Sequence, residues 1–210
     1  MPKKKWRMTL LVLALCVGGV LSFRALKPDP EMLLKKRIAE RSKGDAKASL
    51  WITEYFDYQC PPCGTAHKVL SDAVLKYPGK IYLQVRYYPL PAHQNALSAA
   101  VHSECASRQS GKFWAFHDQL FTHQGQWATD PYAELQFLKF AEEAKIDLPS
   151  WDACTKDPAT EQFVKDEKAK GESLGVKITP SFFVNGKLIV GVNALTEELK
   201  KLETSPAPAA

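Results

Sequence analysis

The chain has 210 residues, 45% of them hydrophobic and 24% charged, the proportions of a globular protein rather than of a disordered or repetitive one. Its net charge of +5 is local, because five of the 28 basic residues (Lys3, Lys4, Lys5, Arg7 and Arg24) fall in the first 24 positions, where no acid occurs. The remainder balances its bases against 23 acids, which leaves no basic footprint for nucleic acid.

Met1 to Phe23 reads as an export signal: a lysine cluster followed by the uncharged run Met8–Phe23, with the lysines held in the cytoplasm and the rest sent outward. No clear small-residue cleavage site follows, Val20-Leu21-Ser22 being the best of a poor choice. An uncleaved inner-membrane anchor (residues 1–24) is therefore expected, with the domain in the periplasm or otherwise outside the cytoplasm. The alternative is a signal cut near Phe23 and a soluble periplasmic protein. Cys16 reads as a small apolar residue of that segment, since Leu15 before it is too large for lipoprotein processing. Residues 25–46 read as a linker, with a short amphipathic helix over Met32–Ile38.

From Leu50 to Phe56 the chain alternates as a strand, Leu50, Ile52, Glu54 and Phe56 on one face and Trp51, Thr53 and Tyr55 on the other. The period changes at Asp57-Tyr58-Gln59-Cys60-Pro61-Pro62-Cys63-Gly64. Beyond it Ala66, Val69, Leu70, Ala73, Val74 and Tyr77 recur at helical spacing until Pro78-Gly79. Cys60 is expected near the N-cap, Pro61 at N1 and Cys63 at N3; proline suits N1 because its missing N–H would have no partner there. A thiol at a helix N-terminus meets free N–H groups and the positive end of the dipole, so its thiolate is favoured. Cys63, one turn on, can close a short disulfide that opens by thiol exchange. Half of a zinc site would need two more ligands, a c-type haem site would need histidine where Gly64 stands, and a structural disulfide over two residues would stabilise little.

Ile81, Leu83, Val85 and Tyr87 alternate in a second strand that closes a β-α-β unit and ends at Pro89 and Pro91. Residues 93–174 are helical by pattern, in three or four helices, with stripes at Leu97, Ala100, Val101 and Cys105 and at Phe113, Phe116, His117, Leu120 and Phe121. Asp130-Pro131 and Asp157-Pro158 read as helix starts and Gly175 as the last stop. Ser181–Val184 and Lys187–Val190 flank Asn185-Gly186, a strong hairpin signal. Thr196 reads as the cap of a final helix through Leu202, and 204–210 as a frayed tail.

With the CPPC helix, the helical insert and the stretch Val176-Lys177-Ile178-Thr179-Pro180-Ser181-Phe182-Phe183-Val184-Asn185-Gly186 in view, the chain resembles the DsbA-like thiol–disulfide oxidoreductases over about residues 47–203. The resemblance implies an α/β thioredoxin fold with a helical subdomain inserted at about 92–174. It implies that Cys60 is the exposed nucleophile, that Cys63 resolves, and that Pro180 is cis and lies against the disulfide, with Thr179 before it pairing an incoming peptide. It also implies a buried acid six residues before the nucleophile, which is Glu54. The strand phase agrees, and a carboxyl there would have a raised pKa and could relay a proton to or from Cys63. The most oxidising relatives carry histidine before the second cysteine, where Pro62 stands here and supplies no N–H, so a milder oxidant is expected.

The expected activity is exchange of the Cys60–Cys63 disulfide with cysteine pairs of exported proteins, as a donor re-oxidised by a membrane redox partner. A reductant or isomerase, as in cytochrome maturation, and a non-catalytic peptide-binding or metal-carrying module are the alternatives. In an oxidising compartment Cys105 and Cys154 are expected to pair in a structural disulfide, two separate buried thiols being the rival. No cofactor, metal or nucleic acid is expected. His67 reads as a solvated residue, and His93, His102, His117 and His123 as capping or packing residues.

Overall fold

The computed structural model describes residues 29–204; the expected signal or anchor at 1–24, Cys16 within it, and the tail at 205–210 lie outside the described residues. Five strands form one sheet in the order β1-β3-β2-β4-β5. The elements run α1 (Pro30–Glu40), β1 (Ser42–Gly44), β2 (Leu50–Phe56), α2 (Pro61–Lys76) and β3 (Ile81–Tyr87). Then come α3 (Ala96–Ser107), α4 (Phe113–Thr122), α5 (Gln124–Trp127), α6 (Ala133–Glu143), α7 (Leu148–Thr155) and α8 (Pro158–Ser173). The chain ends in β4 (Ser181–Val184), β5 (Lys187–Val190) and α9 (Gly191–Thr204).

The strand β2 is central, parallel to β3 (Glu54 opposite Val85) and antiparallel to β4 (Glu54 opposite Phe182). The parallel pairing follows from the α2 crossover, since parallel strands cannot be joined by a tight turn. The face bearing Leu50, Ile52 and Phe56 is buried in one core with Ala66, Leu70 and Ala73 of α2 and Leu195, Leu199 and Leu202 of α9. Tyr55 points the other way, into a smaller cluster with Tyr88 and Val176. There Gly171 of α8 is required: a Cβ on it would stand 2.7 Å from the Tyr55 ring. The hairpin turn takes positive φ at both Asn185 (48°) and Gly186 (83°), which is what the dipeptide favours. The Asn185 side chain accepts from Trp51 N at 2.8 Å and donates to Ser49 O at 3.1 Å, tying the turn to the start of β2.

Four details differ from the sequence reading. The end of the expected linker belongs to the fold, since β1 pairs with β3 and Arg41 is wholly buried. A buried guanidinium needs a full set of acceptors; Arg41 makes paired bonds to both Glu167 oxygens, and Glu167 also accepts from Arg86 at 2.8 Å and Tyr87 N at 3.2 Å. No local pattern reveals a partner 126 positions away. Second, the region between β3 and β4 forms six helices rather than three or four, because breaks at residues 108–112, 123, 128–132, 144–147 and 156–157 interrupt the pattern. Asp130 supports one such break, accepting from Tyr132 N at 2.8 Å, and the helix starts only at Ala133. Third, Asp147 caps α7, a start the sequence reading did not have, by accepting from Ser150 N; the expected start at Asp157 stands, its side chain accepting from Ala159 N for α8. Fourth, Thr196 is no cap: α9 already begins at Gly191, and the Thr196 hydroxyl bonds back to Val192 O at 2.9 Å within it.

Candidate active site

Where β2 leaves the sheet, Asp57 makes the turn that delivers Cys60 to the head of α2. Its Oδ1 accepts from Gln59 N at 2.7 Å, and its carbonyl accepts from Cys60 N at 3.2 Å. Cys60 is the N-cap residue in extended conformation (φ −76°, ψ 116°), with prolines at the first two helical positions. Pro61 and Pro62 carry no N–H, so the first amide of the helix is that of Cys63. Its N–H and that of Gly64 turn to the Cys60 carbonyl, at 3.0 and 3.3 Å.

The structure brings five of the sequence-derived residues into one neighbourhood. Cys60 and Cys63 are both free thiols, Cys63 wholly buried and Cys60 only 5% exposed, less open than the expected nucleophile. The Thr179–Pro180 peptide is cis, and Cys60 Sγ lies 3.6 Å from the Thr179 carbonyl oxygen, to which the protonated thiol donates. Glu54 lies beneath, 1% exposed, with an Oε1 that finds no hydrogen-bond partner. Cys105 and Cys154 are elsewhere, joined as a disulfide between α3 and α7.

Residues 36–202 match the sequence model of the family described as Thioredoxin. The chain belongs to the thioredoxin family. Its fold is that of the DsbA-like thiol–disulfide oxidoreductases. It superposes on alpha-DsbA1 of Wolbachia pipientis with TM-score 0.66 and 23% identity, over 85% of this chain and 94% of that one. MdbA, a thiol–disulfide oxidoreductase of Corynebacterium diphtheriae, gives 0.62 and 18%, over 76% and 85%. By sequence the chain is 33% identical over 150 residues to a protein named Na(+)/H(+) antiporter NhaA 1 in Mycobacterium sp. (strain KMS). That match takes in 69% of this chain and 23% of the antiporter, so the chain spans about a quarter of the length of these curated relatives.

In this thioredoxin-family chain the two thiols are driven apart. Cys60 is held down at about 6, chiefly because the Cys63 thiol donates to its sulfur, with the Cys63 amide adding against the cost of burial. Burial pushes Cys63 well above the ordinary range, and the neighbouring Cys60 and Glu54 push in the same direction. Glu54 is raised to about 8 by burial first and by the Cys60 charge second. Cys60 is thus the thiolate at neutral pH, while Cys63 and Glu54 hold their protons.

Sequence reasoning missed the clamp that the helical insert puts on this site. Gln124 of α5 donates to Tyr58 O at 2.6 Å and Cys60 O at 3.0 Å, and its Oε1 is close enough to Gly64 that a Cβ there would stand 3.1 Å away. Asp57 Oδ2 binds Leu90 N and His93 Nδ1, each at 2.8 Å. Asn95 N donates to Gln59 Oε1, and its side chain gathers three carbonyls of residues 127–130. Only the Asp57 turn had a local signal, an aspartate directly after a strand. His67 is also misplaced by the sequence reading: it is half-buried, stacked on Phe121 with ring centres 4.9 Å apart, and not solvated.

Proposed function

We propose that this chain is a thiol–disulfide oxidoreductase that donates its Cys60–Cys63 disulfide to cysteine pairs of exported proteins. The observation that carries the reading is the asymmetry of the pair: a thiol held at about 6 at a helix head beside a buried thiol held high. In the forward reaction a substrate thiolate attacks Cys60 Sγ, the Cys60–Cys63 bond breaks, and its electron pair leaves on Cys63. The neutral Glu54 carboxyl, raised to about 8, is a proton source for that buried thiolate through water. The second substrate thiolate then attacks its partner's sulfur in the mixed disulfide and expels Cys60, a good leaving group because its thiolate is stable. Two electrons pass from the substrate to the pair, and a membrane redox partner takes them up.

Cys60, Cys63, Glu54 and Pro180 are the catalytic residues of this proposal. Thr179 and Pro180 form the edge on which an extended peptide is laid, in the manner of strand addition. The Thr179 carbonyl must give up the Cys60 thiol to do so, which disulfide formation accomplishes. The domain organisation follows: an anchor over 1–24 in the inner membrane, a connecting stretch, and a catalytic domain outside the cytoplasm. The lysine-led uncharged N-terminus supports it; among the described residues no helix is long and apolar enough to cross a membrane. Nothing of the antiporters' ion transport is transferred, since this chain corresponds to 23% of the KMS protein.

The test is a trap. Cys63→Ala, given a peptide whose cysteine is activated as a mixed disulfide with an aryl thiol, should expel the aryl thiolate and accumulate a covalent adduct at Cys60 by peptide mapping, and Cys60→Ala none at Cys63. Adducts of equal yield at both positions would sink the assignment. Equilibration with glutathione then fixes direction: a potential as low as thioredoxin's, roughly −270 mV, would make the protein a reductant.

A further inference from the structure

Between α2, β1–β3 and α4 lies a cavity of about 320 Å³, lined by Glu54, His67, Trp114, His117 and Asp118 among others. Glu54, 1% exposed, lines it with an orphaned Oε1, and Trp114 Nε1 and Asp118 Oδ1 are likewise shut from solvent without hydrogen-bond partners. Unpaired polar atoms around one void point to a polar occupant, since each costs roughly 1–3 kcal/mol if left alone.

We propose that His67, His117 and Asp118 form a binding site for a zinc-class divalent cation, held in this cavity by two imidazoles and one carboxylate. One ligand atom from each lies within 4.8 Å of the others. His67 Nε2 stands 3.5 Å from Asp118 Oδ1. That is long for a hydrogen bond but close to the spacing of two ligands on one tetrahedral ion, roughly 3.3–3.5 Å for bonds near 2.0–2.1 Å.

The outer partners suit the same role. His117 Nδ1 is 2.8 Å from Tyr58 Oη, which is 2.6 Å from Ser103 Oγ. With Nδ1–H donating to Tyr58 and Tyr58 donating to Ser103, Nε2 keeps its lone pair for a metal, the arrangement that fixes tautomer and ring in histidine–metal sites. His67 is steered by its stack on Phe121 and by the His117 ring, with centres 5.0 Å apart. Two nitrogens and one oxygen favour a borderline ion over calcium or magnesium, with the fourth position left to water. Trp114 Nε1 is a ready donor to that water.

The resident cation is Lys43 of β1. Its Nζ is 4.0 Å from Asp118 Oδ2 and 3.9 Å from the Trp114 ring centre, and its side chain is 33% exposed, free to swing to solvent. A metal must displace it, so Lys43 competes for the site. His67 follows Cys63 by one helical turn on α2, yet the site uses neither thiol and stands or falls independently of the redox proposal.

The experiment uses the full chain in a Cys16→Ser background, fully oxidised so that the remaining cysteines are in disulfides, and stripped of metal. Titration with Co²⁺ read by its visible bands, and with Zn²⁺ by calorimetry, should show one ion per chain with a four-coordinate cobalt spectrum. His67→Ala and Asp118→Asn, both at half-buried positions, should each weaken binding by about tenfold or more while urea midpoints show a folded protein. Lys43→Met should tighten it several-fold. His117→Gln extends the series if it folds, and the inference does not depend on it. Absence of one-to-one binding, or affinities in His67→Ala and Asp118→Asn within twofold of the parent, would overturn the site.

Discussion

Cys60 and Cys63 sit at the N-terminal end of α2, while Cys105 and Cys154 sit in the last turns of α3 and α7, 49 residues apart and joined. Helix polarity separates the two pairs. The head of a helix offers N–H groups and positive potential to a thiolate, and its tail offers carbonyls and negative potential. Loop length separates them again: a disulfide between positions three apart restrains little of the unfolded chain, and one between positions 49 apart restrains much. One pair is placed to react and the other to hold, although the side chains are identical.

The sharpest way to break that contrast is to exchange the losses. Cys60→Ala should abolish exchange on a reduced peptide, leaving only the background rate, and should barely move the urea midpoint. Replacing Cys105 and Cys154 together by alanine should do the reverse. For a loop of this length the bond is worth about 4 kcal/mol, between the ~3 and ~4.7 kcal/mol of 15- and 100-residue loops. Retained activity with a stability loss of about 2–5 kcal/mol is expected from peptide turnover and urea unfolding in parallel. An unchanged midpoint would show that the insert holds the site without its disulfide.

Much of this contrast was legible in the residues. The strand alternation of Leu50–Phe56, the period change at Cys60 and the proline pair fixed where the thiols would stand, because each is a local signal. Glu54 came from the resemblance, and the strand phase agreed with it, an acid in step with three apolar residues. What was not legible is what the insert does to the site. Gln124 reaches Tyr58 and Cys60 across 64–66 positions, and Arg41 reaches Glu167 across 126; neither carries a neighbourhood pattern that names its partner. His67 failed for the same reason, since Phe121 and His117, which cover it, come from α4.

Glu54→Gln tests whether the buried acid belongs to the reacting pair or merely to its packing. A carboxyl at about 8 when folded and at the ordinary 4.5 when unfolded binds its proton more tightly in the native state. Its stabilising effect is therefore complete below 4.5, declines as pH rises through the interval, and is exhausted above 8. At ~1.4 kcal/mol per pH unit the decline between 4.5 and neutral pH is about 3–3.5 kcal/mol, and glutamine, which does not titrate, removes it. Urea midpoints measured from pH 5 to 8 should thus fall for the parent more steeply than for Glu54→Gln, with the variant the more stable at the upper end. Turnover of the variant at neutral pH should be slower. Parallel pH profiles with equal rates would reduce Glu54 to a packing residue.

The finest adjustment concerns Pro62. The structure places prolines at both of the first two helical positions, so the Cys60 thiolate has the Cys63 amide and side-chain donors in place of a full helix N-terminus. A histidine at the second position would restore one N–H, and in protonated form a positive charge, beside that sulfur. Both favour the thiolate, which exists only in the reduced protein, so both favour reduction. One charge-assisted hydrogen bond is worth about 1.5–3 kcal/mol, and for a two-electron couple ~1.4 kcal/mol corresponds to ~30 mV. Pro62→His should therefore raise the reduction potential by tens of millivolts and lower the Cys60 pKa from about 6 in the same variant. The two quantities are read by glutathione equilibration and by a pH titration of thiolate absorbance. Their joint movement is the diagnostic, because a potential that rises with an unmoved pKa would mean that the substitution strained the disulfide rather than stabilised the thiolate. If neither moves, the helix head is not what sets Cys60 apart from Cys105 and Cys154, and the Cys63 thiol alone must be.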